Sequence, residues 1–379
     1  MLLTILSFVV VIGVIILVHE WGHFIAARLT GIRVETFSIG FGPALWKRRV
    51  GATELRVAWI PLGGYVKMAG MIDESLDGED HITGAADEFM SKRTWQKAFV
   101  ISAGVIMNGV LAALLFTSIA WFWGVGEAST EPVLGSLRPD MPATRAGLRA
   151  GDRVLTVDGL RVDAWEDLAG AVHAKPGRRV DLTVLRAASA APAAVETLGV
   201  SLVPEEAVQA GTGKVGLIGI EPEVRVVRVG PLAAVGAGLG RTWIECVNAW
   251  QTVAALISGR AGLKDLGGPI LIAQMSGESA RGGLAVFISF MAFISVNIGF
   301  LNILPIPVLD GGHLVYIGIE AVIRRPLPSK LKLWIQQAGM VLLLLVMVLV
   351  MKNDVMRLVQ RDRPAPAQSS SSDQGGESR

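Results

Sequence analysis

The chain has 379 residues, 51% of them hydrophobic and only 18% charged, with a formal net charge of +2. This balance lies outside the usual soluble range and points to a membrane protein, while the net charge is too small to argue for nucleic acid as a partner. A single cysteine, Cys246, excludes an intramolecular disulfide and a cysteine metal cluster.

Leu2 to Val18 is apolar apart from Thr4 and Ser7 and carries no charge. It lacks the basic start and the small-residue cleavage site of a secretory signal, so it reads as a retained first transmembrane helix that continues through His23. Three further runs are candidate spans: Ala98 to Gly124, Leu284 to Leu309 and Leu333 to Met351. Each is long enough to cross about 30 Å of hydrocarbon at about 1.5 Å per residue. Lys and Arg crowd the segments between the first two spans (ten, from Arg28 to Lys97) and between the last two (Arg324, Arg325, Lys330, Lys332). Positive charge favours the cytoplasmic side, so both termini are expected outside; the acidic patch Asp73 to Asp80 counts little in that rule.

Val34 to Met68 alternates like paired strands. From about Gly126 the chain reads as a β-rich domain on the outer side, with strands in "RVLTVDGL" and "RRVDLTVLR" around a short helix in "AWEDLAGAVHA". Pro231 to Arg260 is mostly apolar but contains Arg241, Glu245, Asn248 and Gln251. It fits a fifth span or an interfacial amphipathic helix. The end of the chain is rich in Pro and Ser and is expected to be disordered.

The first span ends in "HEWGH". Ionisable groups at membrane depth are costly and mark function by default. On a helix His19 and His23, four apart, share a face and can grip one ion, while Glu20 can act as general base toward a water at the metal. The alternative is a pair of histidines hydrogen-bonded inside a bundle. A catalytic zinc needs a third protein ligand. Asp310 stands out in "NIGFLNILPIPVLDGGH": it ends an apolar run, follows Pro305 and Pro307, and precedes Gly311 and Gly312. A helix-terminal turn residue is its other reading, and His313 is the next candidate ligand. With four spans, the first and third both run inward, so His19, His23 and Asp310 reach the same cytoplasmic side. A fifth span at Pro231 to Arg260 would put Asp310 on the opposite face, which favours the interfacial reading.

"HEWGH" with "NILPIPVLDGG", supported by "GFGP" at Gly40 to Pro43 and "PLGGYVKMAG" at Pro61 to Gly70, resembles the site-2 protease family of intramembrane zinc metalloproteases, in its bacterial regulator of sigma-E branch. The resemblance runs from about residue 1 to 352. It implies a bacterial inner-membrane enzyme with one Zn2+ per chain, held by His19, His23 and Asp310, with Glu20 as catalytic base. It implies that Asn297, Asn302, Pro305 and Pro307 receive the unwound substrate helix. It also implies that Val34 to Met68 is a membrane-associated β-hairpin whose edge, with Gly63, Gly64 and Tyr65, binds substrate by strand addition; an ordinary cytoplasmic hairpin is the alternative.

"GLRAGDRVLTVDG", Gly147 to Gly159, resembles a circularly permuted PDZ domain, which places "EPVLGSL", Glu131 to Leu137, near its peptide groove. Larger relatives carry two tandem PDZ domains, whereas one such repeat is evident here.

The expected architecture is thus a polytopic α-helical membrane protein with four transmembrane helices. Residues 1–125 hold the first two spans and the hairpin, 126–205 a periplasmic PDZ-like domain, and 206–283 a periplasmic linker with the interfacial helix. Residues 284–352 hold the last two spans, and 353–379 a disordered tail. The expected reaction is hydrolysis, near the cytoplasmic side, within single-span membrane proteins already clipped outside, of the anti-sigma factor or remnant signal peptide type. Peptide C-termini or substrate ectodomains are the expected partners of the PDZ-like domain, the bilayer is the surroundings, and no nucleic acid is involved. Two rivals compete. A zinc transporter would need metal-binding groups at several depths, and only one depth has them. A silent PDZ scaffold would need no base at Glu20.

Overall fold

The computed structural model describes residues 1–71, 83–187, 195–209, 213–262 and 267–361; the acidic run Asp73 to Asp80 and the polar end of the chain lie outside the described residues. The first elements are α1 (Leu2–Leu29), β1 (Val34–Val50), β2 (Thr53–Met68) and α2 (Thr94–Phe122). A β-rich stretch follows: β3 (Val125–Ala128), β4 (Leu134–Leu137), α3 (Pro142–Arg145), β5 (Arg153–Val157), β6 (Leu160–Arg161) and α4 (Trp165–His173). It continues with β7 (Val180–Ala187), β8 (Val195–Leu202), β9 (Glu205–Gln209), β10 (Gly213–Leu217), β11 (Ile220–Pro222) and β12 (Val224–Val227). The last helices are α5 (Pro231–Ile257), α6 (Pro269–Arg281), α7 (Leu284–Ile303), α8 (Asp310–Ile323) and α9 (Ser329–Arg361). They form two compact units, one from Met1–Ala120 with the chain from Pro231 onward, the other from Trp121–Gly230.

In the helical unit, four helices among the described residues are long and apolar enough to cross a membrane: Leu2–Leu29, Thr94–Phe122, Leu284–Ile303 and Lys330–Arg357. Without a hydrophobic drive between helices in lipid, association relies on close packing at small residues. The contact of α1 with α2 shows this, since a Cβ on Gly22 would stand 2.4 Å from the Ala103 carbonyl oxygen. The start of α6 is capped from another helix: Asp354 of α9, 2% exposed, accepts the backbone N–H groups of Gly268 and Leu271, each at 3.1 Å. Gly277, farther along α6, packs on Thr4 of α1. The Asp354 cap also explains a difference from the sequence reading, which begins the disordered tail at 353. A carboxylate that satisfies two free amides of α6 anchors the end of α9, which stays helical to Arg361.

β1 and β2 pair as expected but fold back further than a plain hairpin. Ser38 lies across from both Arg56 and Tyr65, while the second half of β1 pairs Arg48 with Leu55 and Arg49 with Glu54. The bends fall at Gly40 and Gly42, with φ of 88° and 89°, a region a side chain rarely adopts. This sheet packs on α1 and α2 through Phe37, Val66 and Met68, buried with Ala27, Val100 and Ile101.

The second unit has a four-stranded sheet in the order β6-β5-β7-β8 and a core of Leu134, Val154, Leu168, Val180, Leu182, Val184 and Ile218. Within "GLRAGD" the carboxylate of Asp152 is 1% exposed; it accepts two bonds from Arg186 at 2.7 and 2.6 Å and one from the Arg149 amide at 2.8 Å. The expected domain end at 205 is too early. β11 pairs with β4, and β12 with β3, so the unit runs to Gly230 and the expected linker begins with four of its strands. These pairings join residues some hundred positions apart, which local periodicity does not reveal.

Candidate metal centre

His19 and His23 occupy successive turns of α1 and are 8% and 6% exposed. The chain after α7 stops being helical at Leu304, runs through Pro305 and Pro307 with Val308 at φ 87°, and re-enters a helix at Asp310. Gly311 and Gly312 are required by space: added Cβ atoms would meet the Leu304 and Ile306 carbonyl oxygens at 2.1 and 2.4 Å. The fold-back carries Asp310 to the histidines. Its Oδ2 is 3.2 Å from His19 Nε2 and 3.5 Å from His23 Nε2, and the two Nε2 atoms are 3.2 Å apart.

The ring orientations show what these atoms offer. His23 Nδ1 lies 2.8 Å from the Val100 carbonyl oxygen, which can only accept, so Nδ1 carries the proton and Nε2 of the neutral ring a lone pair. His19 turns Nε2 to Asp310 and Nδ1 toward Asn108 Nδ2, at 3.4 Å. Among the described residues, Asp310 Oδ2 is buried without a hydrogen-bond partner. Lone pairs that converge in a buried site repel unless a cation lies among them. Room for one comes from Gly104 of α2, where a Cβ would stand 2.4 Å from His23 Nε2 and 2.7 Å from His19 Nε2. Two imidazoles and one carboxylate suit Zn2+ with an open fourth position. This trio is the group of metal-ligating side chains found among the described residues.

A cavity of about 1000 Å³ opens at these ligands. Glu20 lines it, as do Gly63, Gly64, Tyr65 and Asn302, and His313 also borders it. Gly64 is pressed close to Glu20, since a Cβ there would meet Glu20 Cγ at 3.0 Å. Asn302 Nδ2 stands 3.5 Å from His19 Nε2. Asn297 is placed differently: its Nδ2 donates to the Phe293 carbonyl of its own helix at 2.8 Å, and it does not line this cavity. Pro305 and Pro307 shape the turn instead of the wall, Pro307 packing against Gly339 of α9. Asn108 and Gly104 escaped the sequence reading, although a lone Asn in the apolar run "AGVIMNGVLA" carries the same signal of cost at membrane depth that exposed His19.

A model of peptidase family M50 matches residues 7–346. The chain belongs to peptidase family M50. It is similar to a protein of Agrobacterium fabrum whose name provisionally assigns it as a zinc metalloprotease, 35% identical over 94% of this chain and 96% of that one. It is also similar to the regulator of sigma-E protease RseP of Escherichia coli, 32% identical over 93% of this chain and 98% of the relative. The corresponding Salmonella typhimurium protein is 30% identical over 93% and 98%. As an M50 member with four apolar helices, the chain is a multi-pass membrane zinc metalloprotease.

Proposed function

We propose that this protein hydrolyses peptide bonds within the transmembrane segment of single-span membrane proteins, after a first cut on the outer side. The observation that carries this reading is the convergence of His19, His23 and Asp310 inside a bundle of helices fit for lipid. His19, His23 and Asp310 would hold one zinc per chain, which would supply Lewis acidity and lower the pKa of a water. Glu20 takes the proton of the attacking water and passes one to the leaving amine. A helix shields its own peptide bonds, so the substrate must unwind locally. The edge of β2 at Gly63 to Tyr65, beside Glu20, holds the freed strand by backbone pairing. Asn302 and Asn297, with Pro305 and Pro307, receive the unwound substrate helix, each Asn side chain offering both donor and acceptor to the substrate's freed backbone groups.

The relatives named for regulation of sigma-E support an anti-sigma factor as the substrate type, with remnant signal peptides as a second. The protein sits in the bacterial inner membrane with both termini outside. The second unit is a PDZ-like domain in the periplasm that meets peptide C-termini or excludes large ectodomains, and α5 lies at the interface. The test compares membrane proteomes of cells carrying the wild-type protein or Glu20→Gln. Single-span fragments accumulating in the variant support the reading; unchanged fragments refute it.

A further inference from the structure

Val224 and Val226 of β12 are 61% and 67% exposed, and hydrolysis makes no use of them. Among the described residues β12 pairs only with β3, Val224 opposite Ala128 and Val226 opposite Gly126. Their strand partners are therefore small, and the two valines lie over glycine: a Cβ on Gly126 would stand 3.0 Å from Val224 Cγ1, and one on Gly124 2.8 Å from Val226 Cγ1. Side chains alternate along a strand, so Arg225 takes the other face, where it pairs with Glu131 and Glu223. A two-stranded ribbon is marginal in water and needs one face covered. Gly124 directly follows Trp121, Phe122 and Trp123, exposed rings in contact one with the next at the end of the apolar helix α2.

We propose that the β3–β12 ribbon is a lipid-binding surface, with the face of Val224 and Val226 resting in the headgroup layer at the end of α2. It continues the belt of Trp121 and Trp123, since Trp rings collect where hydrocarbon meets water. The headgroup layer is about 6 Å deep on each side of the hydrocarbon core. Val226, packed on Gly124, is one residue from that belt. Two opposed effects set the depth. The valines gain by leaving water. The outer edges of β3 and β12 carry backbone groups that meet no third strand among the described residues. Such groups are costly in hydrocarbon, so the ribbon stops at a depth where headgroups and water satisfy them. The exposed Arg228, two residues after Val226, offers a lipid phosphate a charged donor. Because Val125 pairs with Val227, one contact seats both chain crossings of the second unit on the bilayer. The inference rests on α2 crossing the membrane and not on which side its end faces.

The test uses the full-length enzyme carrying Cys246→Ala, so that a single new cysteine holds a fluorophore, in vesicles of phosphatidylcholine and phosphatidylglycerol. Labels at Val224→Cys and Val226→Cys are compared with Asp163→Cys, exposed in the second unit, and Leu114→Cys, exposed on α2. Zinc content confirms that each labelled protein is folded. A nitroxide on the lipid headgroup is expected to quench the labels at 224 and 226 severalfold more than the one at 163, and iodide in the water severalfold less. A nitroxide at the end of the lipid chain is expected to quench the label at 114 well above those at 224 and 226. Labels at 224 and 226 as open to iodide as the one at 163 overturn the lipid contact. Labels shielded from iodide and from both nitroxides overturn it as well, because protein then covers the face.

Discussion

Nδ1 of His19 faces the side-chain amide of Asn108, a fully buried residue of α2, at 3.4 Å. With Nε2 of His19 and Asp310 turned to a shared metal ion, Nε2 would give the ion its lone pair and Nδ1 would carry the ring proton, which Oδ1 of Asn108 would accept after a half-turn of the amide. Partners of this kind fix a ligand's tautomer and orientation, and removing one costs roughly 10- to 100-fold in metal affinity. Asn108→Leu is accordingly expected to weaken zinc binding by that order, measured by competition with a chelator, while Asn108→Asp keeps an acceptor and retains most of it. Equal affinity in wild type and Asn108→Leu would remove Asn108 from the site.

Gly104→Ala is expected to abolish metal binding, because its Cβ would occupy the space between the two Nε2 atoms. Gly109→Ala, on the same helix, is the control: its Cβ meets nothing within 4 Å. Zinc content of the two purified variants checks this; a metal-replete Gly104→Ala would mean that α2 does not back the site.

How legible was this centre in the sequence? His19, Glu20, His23 and Asp310 stood out because each interrupts or ends an apolar run, where a polar group has no cheap explanation. Gly104 is a glycine among 44, and nothing local distinguishes one that makes room for an ion from one in a turn. The helix α6 had too little apolar length to register as an element, and its anchor, Asp354, lies 86 positions from Gly268. The doubled-back sheet was invisible for a related reason: alternation identifies strands, but the placement of Ser38 between Arg56 and Tyr65 depends on the bends at Gly40 and Gly42.

Asp354→Ala leaves the amides of Gly268 and Leu271 without their acceptor in a buried place. An unsatisfied buried group costs about 1–3 kcal/mol. The variant is expected to unfold at lower temperature while keeping its zinc, as read by thermal denaturation and metal analysis in parallel. An unchanged midpoint would show that water replaces the cap.

Val125 pairs with Val227, so the chain enters and leaves the second unit side by side. Joining Gly124 to Arg228 is therefore expected to leave a folded, zinc-bound helical unit that still cleaves clipped substrates. Uncut precursors should now be cleaved as well, if the second unit excludes bulky ectodomains as proposed. A folded deletion variant inactive toward every substrate would contradict this gating role.

The central claim is hydrolysis inside the membrane at a zinc held by His19, His23 and Asp310, with Glu20 as base. Its most direct test is mass spectrometry of the products from a single-span substrate incubated in vesicles with purified enzyme, alongside zinc analysis of each variant. Wild type is expected to give new termini within the substrate's transmembrane segment. Glu20→Gln should give none while keeping about one zinc per chain, whereas His19→Ala, His23→Ala and Asp310→Ala should each lose the metal. Product termini confined to residues outside the membrane, or Asp310→Ala retaining both zinc and full activity, would contradict the account.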